Sequence, residues 1–151
     1  MKTTSIIEPV TESNIRQAAY IHAESWKESH KSFVSRQALE KRTVERQTDY
    51  LRRQIKEGKK IYMLTDDIPV GIVSVKDSLI ENLYVLPERY RQGYGSKLLN
   101  FAIEKCNGTP TLTVLNNNSA IEMYRKFGFK ESGKTIPLNE NLWEIEMKLE
   151  K

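Results

Sequence analysis

Residues 83–95 read Leu-Tyr-Val-Leu-Pro-Glu-Arg-Tyr-Arg-Gln-Gly-Tyr-Gly. An apolar strand runs into a proline, then a basic loop, then Gly-x-Gly at the head of a helix. Behind the loop, Gly95, Leu98, Leu99, Ala102, Ile103 and Cys106 recur at helical spacing and make one apolar stripe. The first turn of a helix carries unpaired N–H groups and the positive end of the dipole, so the junction reads as an anion site. Gly93 and Gly95 lack a Cβ, which lets a phosphate approach the backbone closely. Arg89 and Arg91 bring charge and forked donors to the mouth. A dinucleotide fingerprint would need a third glycine where this loop has Leu98, and no Gly-Lys-Ser/Thr triplet heads this helix. The anion belongs to some other nucleotide-like ligand.

A second block follows. Thr111-Leu112-Thr113-Val114-Leu115 alternates, is rich in β-branched residues and reads as a strand. Asn116-Asn117-Asn118-Ser119 breaks it and offers N-caps. Ala120, Ile121, Tyr124 and Phe127 then trace a helical face that Gly128 closes. Spacing alone makes Tyr124 a core tyrosine.

Together the blocks resemble the GNAT superfamily of N-acetyltransferases, which use acetyl-coenzyme A. The carrying residues are Leu83-Tyr84-Val85-x-Pro87, the loop Arg91-Gln92-Gly93-Tyr94-Gly95 with Leu98-Leu99 behind it, and Asn117-x-x-Ala120-x-x-x-Tyr124-Arg125-Lys126-Phe127-Gly128-Phe129. The resemblance spans residues 79–130, and the loop departs from the family's usual Gln or Arg at Tyr90. It implies two neighbouring central strands, 79–86 and 110–115, splayed to admit the coenzyme. It implies that Gly93, Gly95 and Ser96 hold the pyrophosphate beside Arg91 and Gln92. The backbone of Leu83 and Val85 would bind the pantetheine, with the oxyanion near the Val85 N–H. Asn117 would steady the pantetheine or acceptor side, with Asn116 and Asn118 as alternatives. Tyr124 becomes the general acid for the departing thiolate.

The rest of the chain reads from its residues. Its 151 residues suit one domain, 1–151. A strand at 4–9 ends at Pro9, and Thr11 caps a helix with Ile15, Ala18, Ala19, His22 and Trp26 on its apolar face. Ser35 caps a long helix running to Glu57 and Gly58. Strands at 61–65 and 70–76 flank the turn Asp66-Asp67-Ile68-Pro69, and strands at 129–135 and 142–149 close the chain. The expected fold is α/β, α+β layered: a mixed, mostly antiparallel sheet of about six to seven strands flanked by about four helices.

Acetyl transfer to an amine needs a neutral nucleophile, a stabilised oxyanion and a proton for the leaving thiolate. Glu81 shares strand parity with Leu83 and Val85 and is a candidate base; a water chain is the alternative. The stretch from His22 to Phe33 reads as the acceptor region. Trp26 and Phe33, with Glu24 and Glu28, would shape a pocket for a cationic amine. His30 falls in the connection after the first helix, where GNAT-like proteins place acceptor contacts. His22 reads as a satisfied, semi-buried ring.

The leading expectation is acetyl transfer to a primary amine of a small molecule by direct attack in a ternary complex. A protein or peptide acceptor, or a non-catalytic coenzyme A sensor, is the alternative. The net charge of +4 is spread over mixed-sign segments, which argues against a nucleic-acid partner. No run of about eighteen apolar residues suggests a membrane span. Two histidines and one cysteine argue against a metal. The lone cysteine and the missing secretory core suit a cytoplasmic monomer or homodimer.

Overall fold

The computed structural model describes residues 5–150. The elements are β1 (Ile6–Pro9), α1 (Ile15–His30), α2 (Arg36–Glu40), α3 (Val44–Lys56), β2 (Lys60–Thr65), β3 (Pro69–Lys76), β4 (Leu79–Val85), α4 (Tyr94–Lys105), β5 (Thr111–Leu115), α5 (Ala120–Lys126), β6 (Lys130–Asn139) and β7 (Leu142–Lys148). A 3-10 turn, Pro87–Arg89, follows β4. The seven strands form one sheet in the order β1-β2-β3-β4-β5-β7-β6. Neighbours are antiparallel except β4 and β5, which are parallel and pair only at Leu79 and Thr111. The mixed, mostly antiparallel sheet is as expected. Among the described residues it carries five helices, in keeping with the expected about four. Residue 4, where the first strand was expected to begin, lies outside the described residues.

Each sheet face buries its own core. On one face α1 and α3 cover Ile61, Met63 and Ile72 with Ile15, Ala18, Ala19 and Leu51. On the other, Leu98, Leu99 and Ala102 of α4 pack on Val70, Val73 and Val75, joined by Tyr124, Phe129 and Met147. Each fully buried Leu or Ile stabilises by about 1.5–3 kcal/mol, so the helices are held mainly by these faces.

Three local readings change. Asn14, not Thr11, is the N-cap of α1. The Thr11 hydroxyl instead accepts from the Ser13 N–H at 3.3 Å, and its own N–H donates to Asn14 Oδ1 at 2.7 Å. That local turn delays the helix. The same helix continues through His30, so His30 is its last residue rather than part of a connection. The long helix from Ser35 is two. Ser35 caps α2 by accepting from Ala38 N–H at 3.1 Å, the chain extends at Thr43, and Thr43 Oγ1 caps α3 by accepting from Arg46 N–H at 3.2 Å. The second cap competes with helix continuation because it satisfies the new helix's first donors.

No helix among the described residues is long and apolar enough to cross a membrane. Among them no group of three or more His, Cys, Asp or Glu side chains could hold a metal ion.

Candidate active site

The site begins where β4 and β5 part. Leu86 N–H donates to Val70 O at 2.9 Å, so Gly71 and Val85 face each other as a non-hydrogen-bonded pair. Val85 N–H and C=O therefore point away from β3, toward the opening wedge. The carbonyl accepts from Ser25 Oγ of α1 at 3.1 Å.

The basic loop closes one end of the wedge. Gly93 is the N-cap of α4 at φ +83°, and a Cβ added there would meet nothing within 4 Å. Its positive φ and open surroundings suit a close anion approach to the first N–H groups of the helix. Arg91 lies exposed beside it at φ +64°. Arg89 is already engaged, because both its terminal nitrogens donate to the Asp67 carboxylate at 2.8 and 2.9 Å. The Tyr94 hydroxyl donates to Asp66 Oδ2 at 2.5 Å. The β2–β3 turn thus ties the loop down from both sides of Gly93. The guanidinium keeps the Asp67 carboxyl below its ordinary range.

Gly128 to Thr135 also spells the eight-residue Walker-type pattern, Gly-Phe-Lys-Glu-Ser-Gly-Lys-Thr. It runs into β6, so no helix N-terminus follows Lys134 and Thr135, and the phosphate cradle of such a loop is not formed.

Two cavities meet at the wedge. The larger, about 620 Å³, is lined by Leu83, Val85, Arg91, Gly93, Gly95, Ser96 and Asn117. These are the residues expected to hold coenzyme, except that Gln92 is not on the lining. The smaller, about 330 Å³, is lined by Trp26, His30 and Phe33, the expected acceptor residues, together with Glu81. Leu83, Tyr84, Leu115, Asn118 and Tyr124 line both.

Tyr124 sits at this junction, buried, its ring edge-on to Phe129 at 6.0 Å. Burial first, and the neighbouring Tyr84 second, push its hydroxyl well above the ordinary tyrosine range. It keeps its proton at neutral pH and is a donor. Tyr84 was not singled out as a candidate site residue; burial pushes it up to about 12. The asparagine register also resolves. Asn116 accepts from Trp143 N–H at 3.0 Å, and Asn118 accepts from Ala120 N–H at 2.8 Å. Asn117 is exposed on the larger cavity.

Glu81 does not share a face with Leu83 and Val85. Ser74 pairs with Glu81 and Ile72 with Tyr84, so β4 holds one extra residue there. This bulge centres on Asn82 at φ +52° and reverses the side-chain alternation. Glu81 and Tyr84 face α1, while Leu83 and Val85 pack toward α4. Glu81 is ion-paired with Lys59 at 2.7 Å. Behind the bulge, Asn82 Nδ2 donates to Ser74 Oγ at 3.4 Å and its side chain also hydrogen-bonds His22. Gln47 Nε2 donates to His22 Nδ1 at 2.6 Å. Burial lowers His22 to about 4, so the buried ring is neutral at pH 7.

The aromatic wall differs from the expected cation trap. Trp26 and His30 stack with centroids 4.0 Å apart, and His30 Nδ1 lies 2.9 Å from Trp26 O. The Arg42 guanidinium lies 3.8 Å over the Trp26 ring. The chain's own cation therefore already occupies Trp26. Glu24 and Glu28 pair with Lys27 and Lys31 at 2.6 and 2.8 Å, and neither lines the smaller cavity.

A sheet opened at its one parallel junction, with a glycine-headed helix closing the wedge, defines a GNAT-type acyltransferase fold. Residues 17–151 match the acetyltransferase (GNAT) domain, and the chain belongs to that family, whose co-substrate is acetyl-coenzyme A. It is 30% identical over 69 residues to the peptidyl-lysine N-acetyltransferase YjaB of Salmonella typhimurium, which covers 46% of this chain and 48% of that protein. The matched stretch thus spans about half the length of that relative. The fold is similar to that of the PaiA N-acetyltransferase of Thermoplasma acidophilum in complex with coenzyme A. There the TM-score is 0.71 at 21% identity, covering 96% of this chain and 99% of the other. A GNAT-family acetyltransferase from Bacillus cereus gives a TM-score of 0.75 at 17% identity, with 98% of each chain covered.

Proposed function

We propose that the chain transfers an acetyl group from acetyl-coenzyme A to a primary amine of a small molecule, by direct attack in a ternary complex. The observation that carries this is the pair of cavities sharing Leu83, Tyr84 and Tyr124 where β4 and β5 part. A donor in one and an acceptor in the other would meet there without a covalent enzyme intermediate. The residues fit the coenzyme: an open left-handed glycine, free first-turn N–H groups and one uncommitted arginine at the phosphate end, and strand backbone turned into the wedge.

Acetyl-coenzyme A, when bound, supplies an activated acetyl thioester. Gly93, Gly95 and Ser96 hold the pyrophosphate by their N–H groups, with Arg91 and Gln92 alongside. Leu83 and Val85 hold the pantetheine by their backbone, and Asn117 flanks it. The Val85 N–H stabilises negative charge on the acetyl oxygen. Tyr124 gives a proton to the departing sulfur. Glu81, ion-paired with Lys59, accepts the amine proton through water. Trp26, His30 and Phe33 wall the acceptor.

A lysine side chain of a peptide is the second reading, supported by the name of the Salmonella relative. Free-thiol release from acetyl-coenzyme A, followed over small amines and lysine peptides, tests both. Turnover with small amines supports the main reading, and turnover with peptides alone replaces it. Coenzyme binding without turnover on any acceptor leaves a sensor. No binding at millimolar coenzyme, by calorimetry, overturns all three.

A further inference from the structure

We infer that Glu144 determines acceptor specificity by holding a second positive charge on the acceptor, so that the substrate is a small diamine-like cation rather than an amino acid or a monoamine. This rests on the acetyl-transfer reading above and adds to it the class of acceptor.

Glu144 lies in the middle of β7, paired with Leu115 of β5 and Ile136 of β6. Ile145 and Met147 face the α4 core, so Glu144 faces the opposite side of the sheet, the side of Trp26, His30 and Glu81. It is half-buried and lines the smaller cavity. Other carboxylates nearby are engaged. Glu81 pairs with Lys59 at 2.7 Å, Glu146 accepts from Ser132 at 2.8 Å, and Glu131 meets Arg125 at 3.5 Å. Among the described residues the Glu144 carboxylate has no ion-pair or hydrogen-bond partner.

Among the described residues no Lys or Arg lines that cavity. Its one histidine, His30, is held below its ordinary range by burial and is neutral at pH 7. With Glu81 compensated, the cavity presents one net negative charge between aromatic walls. That repels an acceptor carboxylate and attracts a cation. The cation cannot be the reacting nitrogen, which attacks only as the neutral amine. Glu144 faces Leu115, which lines both cavities, so it stands one cross-strand step from the point of transfer. A short alkyl chain bridges that step and leaves its far ammonium on the carboxylate.

The test uses 1,4-diaminobutane, butylamine and 4-aminobutanoate, which share a chain and a reacting amine and differ in the distal charge. In the wild-type protein kcat/KM should fall in that order, with the diamine at least about tenfold above butylamine, as expected for a charge-assisted contact. Glu144→Gln should bring diamine and butylamine within about twofold through the KM of the diamine, leaving the KM for acetyl-coenzyme A unchanged. Glu144→Lys should turn the preference toward 4-aminobutanoate, which a merely destabilised protein would not do. No diamine preference in the wild type, or the same preference in Glu144→Gln, overturns the inference. Calorimetry adds a readout without turnover: coenzyme A-saturated protein should bind 1,4-diaminobutane and the Gln variant should not, and absence of wild-type binding also overturns it. Absence of thiol release with every acceptor is the separate failure of the acetyl-transfer reading.

Discussion

Tyr124 and His22 show how burial sets the chemistry of single residues. The Tyr124 hydroxyl stays protonated at the meeting point of the two cavities. Tyr124→Phe removes one hydroxyl and almost no volume. Turnover at saturating coenzyme should fall by about 10²–10⁴-fold with coenzyme affinity preserved. Unchanged turnover, with chemistry rate-limiting, would reduce it to a packing residue. His22 is depressed to about 4 by burial, while the unfolded chain takes up that proton near pH 6.5. Between those values the unfolded state binds more protons. His22 therefore contributes stability above pH 6.5 that is lost as pH falls toward 4, at up to about 1.4 kcal/mol per pH unit. An NMR titration of the ring should show no protonation above about pH 5. A midpoint near 6.5 would put the ring in water.

At the scale of elements, the glycine-headed helix works because another element holds its loop. The β2–β3 turn grips Arg89 through Asp67 and Tyr94 through Asp66. Tyr94→Phe leaves Asp66 Oδ2 without that donor beside the proposed anion site and loosens the loop. Both effects oppose phosphate binding. The dissociation constant for coenzyme A should rise by about three- to tenfold, the equivalent of one lost hydrogen bond to a charged group, with little change in melting temperature. Calorimetry that gives the wild-type constant would detach the turn from the site.

For the whole molecule, the wedge depends on how tightly α4, β3 and β4 are pressed together. Gly71 is where they touch: a Cβ there would lie 2.6 Å from Leu98 Cδ1 and 3.0 Å from Tyr84 O. Gly71→Ala should cost about 1–3 kcal/mol in urea denaturation, since the contact includes backbone that cannot swing aside. It should also weaken coenzyme binding, because the strain falls on β4 opposite Val85. Stability within about 0.5 kcal/mol of wild type would mean that the layers yield easily there.

The sequence by itself determined what local pattern controls. Alternation and helical stripes marked β2 to β5 and α4, because side-chain period follows backbone geometry directly. Gly93 before an amphipathic helix marked the loop proposed to hold the anion, because conformational freedom and unpaired N–H groups are local properties. The Ser35 cap was legible and the Thr43 cap, its competitor, was passed over. Tertiary structure decided what depends on neighbours far along the chain. The bulge at Asn82 moved Glu81 to the other face, since it answers to a polar cluster drawn from α1, α3 and β3. Arg89 lost its apparent freedom to Asp67, and Trp26 acquired Arg42. Glu144 gained its place because a strand near the end of the chain pairs beside β5, where the sheet opens. Pairing order and compensation of charge are long-range outcomes of packing, and no window of sequence contains them.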